Sequence, residues 1–286
     1  VTIRAIRLIC ALFLWAAGSA YAVDVRFELV ADGVYAFVGE LGARTEANEG
    51  LNANLGLVVT RDGAVLIDSG ATFQSARQIH EAVRRVTSQP VRWVINTGGQ
   101  DHRWLGNGYF RSQGAELIAH AAGEADMRNR GNDQLQALRT LLGTKADGTT
   151  PTLPVRWIRQ ADERLELGGV VFELKHRGGA HTPGLLVVFP MSPTKAWPAT
   201  FAEIARLDPA RIVPGHGRVC GLAQAQADTR DYLLALRAHM KKAVDDGTDI
   251  SAAVKSFDDR AYTRLLNAAE LMPGNASRTY LELEWE

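Results

Sequence analysis

The sequence predicts an α/β fold, a layered sandwich with mixed sheets, and three observations support this prediction. Short apolar runs with strand character alternate with turn residues through most of the chain. Helical periodicity separates only some of these runs, so the order differs from the strict strand–helix alternation of a Rossmann fold. The chain after residue 214 is mostly helical, and no change to a linker-like composition sets it apart.

Composition narrows the class of function. The chain has 286 residues, with 32 Lys and Arg against 32 Asp and Glu. Balanced charge without a basic stripe disfavours nucleic acid as the main partner. Two cysteines exclude a disulfide framework. The length can build one large domain or two small ones.

The first 22 residues have the pattern of a secretory signal peptide. Arg4 and Arg7 precede an apolar run at 8–17, and Ala20-Tyr21-Ala22 supplies a small-residue cleavage site. The alternative, an uncleaved membrane anchor, is disfavoured because the run is short. We therefore expect export to an oxidising compartment, most simply a bacterial periplasm, with no membrane attachment after cleavage. Cys220 would then be the remaining thiol.

The first elements of the mature chain follow from local signals. Arg61-Asp62-Gly63 predicts a hairpin turn between two strands, and Pro90 ends a helical pattern. The predicted strands are 34–38, 55–60, 64–68 and 91–95, and the predicted helix is 72–86.

Further strands and helices are predicted along the rest of the chain. Gly131 could interrupt the helix at 121–142, and polar, Pro- and Gly-punctuated residues make 144–154 a loop. Strands are predicted at 116–119, 155–158, 164–167, 170–176, 185–189 and 211–214. Helices are predicted at 194–207, 223–246, 250–257 and 261–271.

The seven histidines stand in three kinds of context. Two lie within predicted helices beside charged residues, which favours a solvated surface role: His80 and His239. Two lie at strand ends, where a structural role is favoured over one beside a site: His120 and His176. Three stand in glycine-containing turns that follow or join strands: His102, His181 and His216. Loops at strand ends often carry functional sites, so these three histidines with Asp101 form a candidate metal constellation.

Five motifs in order then resemble the metallo-β-lactamase superfamily over residues 30–217. They are Asn54-Leu55-Gly56, Val65-Leu66-Ile67-Asp68-Ser69-Gly70, Ile95-Asn96-Thr97, His181-Thr182-Pro183-Gly184 and Pro214-Gly215-His216-Gly217. The resemblance implies an αβ/βα four-layer sandwich with a metal site at one edge. It also implies a domain over residues 23–217, with residues 218–286 as a helical C-terminal extension packed on the same domain.

Two stretches, 98–110 and 273–282, look like one periplasmic subgroup, the quinoprotein relay system zinc metallohydrolases. This narrower resemblance implies a link to PQQ-dependent alcohol oxidation. The partners it implies are a quinoprotein dehydrogenase or a cytochrome c.

The sequence also departs from the superfamily pattern. The usual His-x-His-x-Asp-His signature has Thr97 and Gly99 in place of its two leading histidines. A Thr-Gly-Asp that normally follows is absent between His181 and His216, and the span 185–213 looks shortened. The histidine pair of the first metal site and the bridging aspartate are therefore missing.

The remaining residues imply a reduced site with one zinc ion per chain. By resemblance, Asp101, His102 and His216 hold the second metal, and His181 lies nearby as a fourth ligand or a substrate contact. Asp68 would orient a ligand, so Asp68 and Asp101 are the candidate catalytic carboxylates.

Cys220, four residues after His216, is most simply a small buried residue, although a place near the metal is the alternative.

The resemblance implies a zinc-dependent hydrolase for a small molecule with an ester, thioester or amide-like carbonyl. The alternative is a catalytically inactive protein of the same fold that acts as a binding or maturation factor for a quinoprotein dehydrogenase.

Overall fold

A computed structural model describes residues 23–177, 197–265 and 267–286. Three predictions lie outside these residues: the signal peptide, the loop that carries His181, and the strand at 185–189. The strands are β1 Glu28–Ala31, β2 Val34–Phe37, β3 Leu55–Thr60, β4 Gly63–Ile67, β5 Val91–Ile95, β6 Glu116–His120, β7 Arg156–Ile158, β8 Asp162–Leu167 and β9 Val170–Lys175. The helices are α1 Phe73–Val86, α2 Asp101–Trp104, α3 Asn107–Ser112, α4 Glu124–Leu142, α5 Trp197–Arg206, α6 Leu222–Ala225, α7 Asp231–Asp245, α8 Ile250–Ser256 and α9 Ala268–Glu284.

The main sheet has seven strands, and their spatial order is the chain order β1 to β7. Strands β1 to β4 pair antiparallel, with a longer loop between β2 and β3, whereas β4 to β7 pair parallel. Parallel pairing needs a crossover, which α1 provides between β4 and β5. The carboxyl ends of β4, β5 and β6 therefore meet at one edge, where Asp68, Thr97 and His120 lie.

Helix α1 forms as its local signals predict. The Thr72 side chain caps it in a box with Ser75, and Ala76, Ile79 and Val83 form a buried stripe. This stripe packs in one core cluster with residues from β3 and β4, such as Leu57. The helix thus covers one face of the sheet.

The hairpin of β8 and β9 covers the other face. Leu165, Leu167 and Leu174 share a core cluster with Val65 and Ile118 of the main sheet. Helix on one face and strands on the other give the predicted layered α/β sandwich, which the structure confirms.

Helix α4 continues through Gly131 without a break. A Cβ atom at Gly131 would lie 2.9 Å from the Trp104 ring and 3.0 Å from Cβ of Pro151. The glycine therefore permits close packing here, and it does not end the helix.

Two predictions near the C-terminus are wrong. The strand expected at 211–214 is a single bridge between Ile212 and Cys220. The helix expected at 261–271 is α9, which starts later, at Ala268, directly after Asn267 with φ of 62°. Pro273-Gly274 resembles a helix end in the sequence, yet the apolar face that includes Met272 and Tyr280 continues the helix past it.

Helices α7, α8 and α9 enclose a core cluster of their own. The long helix predicted at 223–246 forms as α6 and α7 with a π-helical turn at 226–230 between them. Helix α5 contacts α7. The placement of the extension on the sandwich as one domain stays a prediction. No helix in the described part of the chain is both long and apolar enough to cross a bilayer.

Candidate functional site

The loop after β5 carries Asp101 and His102 and is pinned at both ends. The Asn96 side chain donates to the carbonyl of Arg103 at 3.0 Å and to Oδ1 of Asn107 at 3.1 Å. The backbone N–H of Ser69, after β4, donates to the same Arg103 carbonyl at 2.8 Å. These buried bonds fix the loop against the neighbouring strand end and leave it little freedom.

A buried ion pair lies beneath this loop. Asp68, with φ of 63°, accepts hydrogen bonds from the N–H and Oγ1 of Thr97, both at 2.7 Å. Nη1 of Arg103 donates to Asp68 Oδ2 at 2.8 Å, and both side chains are 2% exposed. The Arg103 guanidinium also donates to Gln100 Oε1 at 3.1 Å. Within the described residues, Asp68 thus positions Thr97 and Arg103.

The Asp101 carboxylate is engaged on both oxygens. Oδ1 accepts from the backbone N–H of His102 at 2.8 Å and lies 3.1 Å from its ring Nδ1. Oδ2 forms an ion pair with Arg44, which comes from the loop between β2 and β3. The Asp101 side chain is only 10% exposed, so its charge requires such a partner. Burial lowers the pKa of Arg44.

His102 is held as a neutral imidazole. Burial, followed by the charges of Arg103 and Arg44, lowers its pKa to about 3. Because a carboxylate can only accept, Nδ1 carries the proton toward Asp101, and Nε2 keeps its lone pair. Nε2 is buried and has no hydrogen-bond partner among the described residues. A buried lone pair of this kind suits a metal ion.

His216 lies against the same histidine from another part of the chain. The two ring centroids are 5.8 Å apart. Nδ1 of His216 is 2.8 Å from the carbonyl oxygen of Asn52, and a carbonyl only accepts. Nδ1 of His216 therefore carries a proton.

Asn54 builds the loop that presents His216. Its side-chain amide donates to the carbonyls of Pro214 and Gly217, each at 2.7 Å. Its backbone N–H donates to the carbonyl of Gly215 at 2.9 Å. The asparagine at the start of β3 thus holds a loop about 160 residues away in the chain.

The predicted donors are of types that zinc accepts, but their arrangement among the described residues does not form a metal site. Of the four predicted ligands, Asp101 and His102 lie 3.1 Å apart at Oδ1 and Nδ1, and the His216 ring centroid is 5.8 Å from that of His102, while His181 lies outside the described residues. Two imidazoles and one carboxylate are ligands that zinc accepts. Among the residues that the structure describes, no group of three or more His, Cys, Asp or Glu could hold a metal ion as it stands. The Asp101 carboxylate already forms an ion pair with Arg44 through Oδ2.

The two positions of the missing histidines hold no further ligand. Thr97 is bonded to Asp68, as described above. A Cβ atom at Gly99 would lie 2.9 Å from Oδ2 of Asp126, so a side chain there needs a rearrangement. Asp126 pairs with Arg130 at 3.2 Å through its other oxygen.

The remaining histidines support packing. The ring of His80 lies 3.0 Å from the Tyr109 hydroxyl, and the ring of His239 lies 2.9 Å from the Ala253 carbonyl. Both side chains are half-buried, whereas the sequence predicted a solvated surface role for them. The rings of His120 and His176 stack with centroids 3.9 Å apart. Burial and then the charge of His176 lower the pKa of His120.

The Cys220 side chain is half-buried, as a small structural residue would be. Burial, followed by the charge of Asp228, raises the pKa of its thiol. A raised pKa disfavours the thiolate, which is the form that binds metals.

Sequence reasoning did not find Arg44, Asn52 and Arg103. The single signal for Arg103 is its position directly after Asp101-His102, next to the apolar Trp104-Leu105. Arg44 and Asn52 lie in a polar loop whose sequence carries no signal of burial.

Comparison with known proteins gives one family match. A family model described as the metallo-beta-lactamase superfamily matches residues 48–190, half of the chain. The match includes Asp68, Asp101 and His102, and it ends before His216.

Solved structures show the same fold. A metallo-beta-lactamase from Pontibacter korlensis is 16% identical with a TM-score of 0.54, covering 70% of this chain and 94% of that one. FIM-1 from Pseudomonas aeruginosa, in its mono-zinc form, is 18% identical with a TM-score of 0.54, covering 74% and 96%. The sec-alkylsulfatase Pisa1 from Pseudomonas sp. is 15% identical with a TM-score of 0.62, and this chain, 90% covered, spans half of its length.

Proposed function

Because this chain belongs to the metallo-β-lactamase superfamily, we propose that it is a metal-dependent hydrolase with a single-metal site. Asp101, His102 and His216 hold the ion, and His181 completes the set. The observation that carries the proposal is the buried Nε2 of His102, which has no hydrogen-bond partner among the described residues. The centroid of the His102 ring lies 5.8 Å from that of His216. Zinc, when bound, polarises a carbonyl and makes water more acidic.

The chain's own residues orient the ligands. The Asn52 carbonyl fixes the ring of His216 in the tautomer that presents Nε2, and Asp101 does the same for His102. The pair of Asp68 and Arg103 holds the loop on which Asp101 stands. Positions fixed in this way suit a site that must keep its shape.

One ion per chain, and not two, is the stoichiometry that the residues support. Thr97 and Gly99 supply no nitrogen ligand, and Asp126 already occupies the space beside Gly99. Asp68 is neutralised by Arg103 and so has no charge left for a second cation.

The substrate class, location and partners belong to the same proposal. We infer a small-molecule substrate with an ester, thioester or amide-like carbonyl. The signal-like residues 1–22 support a periplasmic location, and the stretches 98–110 and 273–282 support a role in PQQ-linked alcohol oxidation. A quinoprotein dehydrogenase or a cytochrome c is then the expected partner.

A second candidate function is a binding or maturation factor without catalysis. The ion pair of Arg44 and Asp101 favours it, because a protein that never binds metal needs a permanent counter-ion there.

Metal content separates the two candidates. Elemental analysis of the purified protein, dialysed against trace zinc, should find about one zinc per chain. His216→Ala should abolish zinc retention together with hydrolysis of a panel of aryl esters and thioesters. His239→Ala, whose lost contacts are to Ala253, Ser256 and Phe257, is the control and should change neither. Wild-type protein with no zinc supports the second candidate, and about two zinc ions per chain contradicts the single site.

A further inference from the structure

We propose that a cavity beside the candidate site binds a small uncharged molecule with an apolar body and one carbonyl oxygen. The cavity measures about 160 Å³ and is lined by residues of β2, β3 and β4. Its wall also includes Arg103 from the loop after β5, and Pro214 and Gly215 from the loop that presents His216. A molecule held there would therefore lie between the two loops of the candidate site.

Apolar side chains of the sheet make up much of the cavity wall. Val34, Val58 and Ile67 come from three neighbouring strands, and Val213 adds a fourth apolar side chain. Gly56 adds no side chain to this wall, and a Cβ atom there would lie 3.1 Å from Cγ1 of Ile67. An apolar cavity of about 150 Å³ can hold a molecule the size of benzene, so this cavity fits about six to eight non-hydrogen atoms.

The Arg103 guanidinium supplies the polar end of the cavity. Its Nη1 donates to Asp68 Oδ2 at 2.8 Å and to Thr97 Oγ1 at 3.1 Å. Its Nε donates to Gln100 Oε1 at 3.1 Å, and Nη2 has no hydrogen bond among the described residues. The side chain is only 2% exposed, so an acceptor on a bound molecule would satisfy a donor that bulk water hardly reaches.

Water fits this cavity poorly, because acceptors on its wall are already engaged. Both carboxylate oxygens of Asp68 accept hydrogen bonds, one of them from Arg103. Asn54 donates to the carbonyls of Pro214 and Gly215. Buried water typically has about three polar partners, whereas the described part of the wall leaves it mainly Nη2 of Arg103. A carbonyl oxygen on an apolar body needs only that donor.

The charges on the wall favour an uncharged molecule. Arg103 and Asp68 neutralise each other across 2.8 Å, and both side chains are 2% exposed. A carboxylate in the cavity would place a second negative charge beside Asp68, where solvent screening is weak. An ammonium group would face the charge of Arg103 in the same way. A ketone, an aldehyde or an uncharged ester avoids both costs.

Ligand binding by the full chain, with no metal added, tests the proposal independently of the proposed function. The probes are cyclohexanone and cyclobutanecarboxylate, which have the same number of non-hydrogen atoms and differ in charge. NMR titration follows the methyl groups of Val58 and Ile67. We expect cyclohexanone to shift both sets of signals with a dissociation constant on the order of 1 mM. Cyclobutanecarboxylate should bind at least about tenfold more weakly.

A second measurement fills the cavity from its wall. Val213→Phe adds an aromatic ring there and should weaken the binding of cyclohexanone at least about tenfold. Val155→Phe is the matched control, because Val155 is 53% exposed and does not line the cavity. The control should bind cyclohexanone as wild type does, and thermal melts check that both variants fold.

Three results would overturn the inference. The first is no saturable shift of the Val58 and Ile67 methyl signals with cyclohexanone, and the second is equal affinity of wild type for the two probes. The third is equal affinity of wild type and folded Val213→Phe for cyclohexanone. If Val213→Phe does not fold, the two probes on wild type decide. Because no result depends on zinc, the single-metal function is tested separately by metal content.

Discussion

Replacing Arg103 with methionine tests whether the buried ion pair holds the Asp101 loop. Methionine keeps the length of the stem and removes the charge, so Asp68 remains buried at 2% exposure with only its bonds from Thr97. Removing one partner of a buried pair costs about 3–5 kcal/mol, because the other charge is left uncompensated. The lost bond to Gln100, half-buried, adds at most about 1 kcal/mol. We therefore expect a loss of about 3–6 kcal/mol in the free energy of unfolding.

Urea denaturation of the metal-free protein measures this loss. Arg128→Met is the matched control, because it breaks an ion pair with Glu124 whose side chains are 59% and 32% exposed. This variant should lower the free energy of unfolding by less than about 0.5 kcal/mol. The double variant Asp68→Asn/Arg103→Met should be less destabilised than the sum of the two single variants, because it leaves no buried charge.

Because helices α7 to α9 have a core of their own, unfolding should also be measured close to the ion pair of Asp68 and Arg103. Hydrogen exchange at the amide of Asn96, which donates to Ile118 at 2.8 Å, reports on the carboxyl end of β5. If Arg103→Met is no more destabilising than Arg128→Met, the ion pair does not hold the loop.

Asn54→Ala should weaken zinc retention without removing a ligand, because two side-chain hydrogen bonds to the His216 loop are lost. Calorimetric titration with zinc measures this affinity, and a wild-type value would contradict the prediction. The pKa of His120 should lie below its ordinary value of 6.5, so stability should fall as the pH drops below that value, where the unfolded chain takes up the proton first. NMR titration checks this pKa, and His176→Phe should move it upward. Gly131→Ala should lower the unfolding free energy by about 1–3 kcal/mol, because the added methyl meets the Trp104 ring, and thermal melts that match wild type would rule this out.

The sequence alone determined the elements that local chemistry specifies. The periodicity of residues 72–86 predicted α1, Pro90 marked the end of the helical pattern, and Arg61-Asp62-Gly63 predicted the turn between β3 and β4. These signals act over a few residues, so periodicity and turn chemistry suffice to place them. The same local reasoning failed at the helix predicted for 261–271, because burial against α7 and α8 determines where α9 begins and ends.

Some features of the site were likewise visible in the sequence, whereas others became visible only in the structure. His102 and His216 stand in glycine-containing turns after core segments, a pattern visible in the sequence, and the structure brings their rings together. The replacement of two motif histidines by Thr97 and Gly99 was equally visible. The ion pair between Asp101 and Arg44 was not visible in the sequence, because Arg44 lies 57 positions earlier in the chain.

Only the tertiary structure decided how the charges of the site are balanced. The partner of Asp68 is Arg103, 35 positions away, and the partner of the His216 ring is the Asn52 carbonyl, 164 positions away. No local pattern specifies such pairs, because they depend on which strand ends meet at one edge of the sheet. A carboxylate that folding removes from water must then find a cation there, and the fold determines which one it meets.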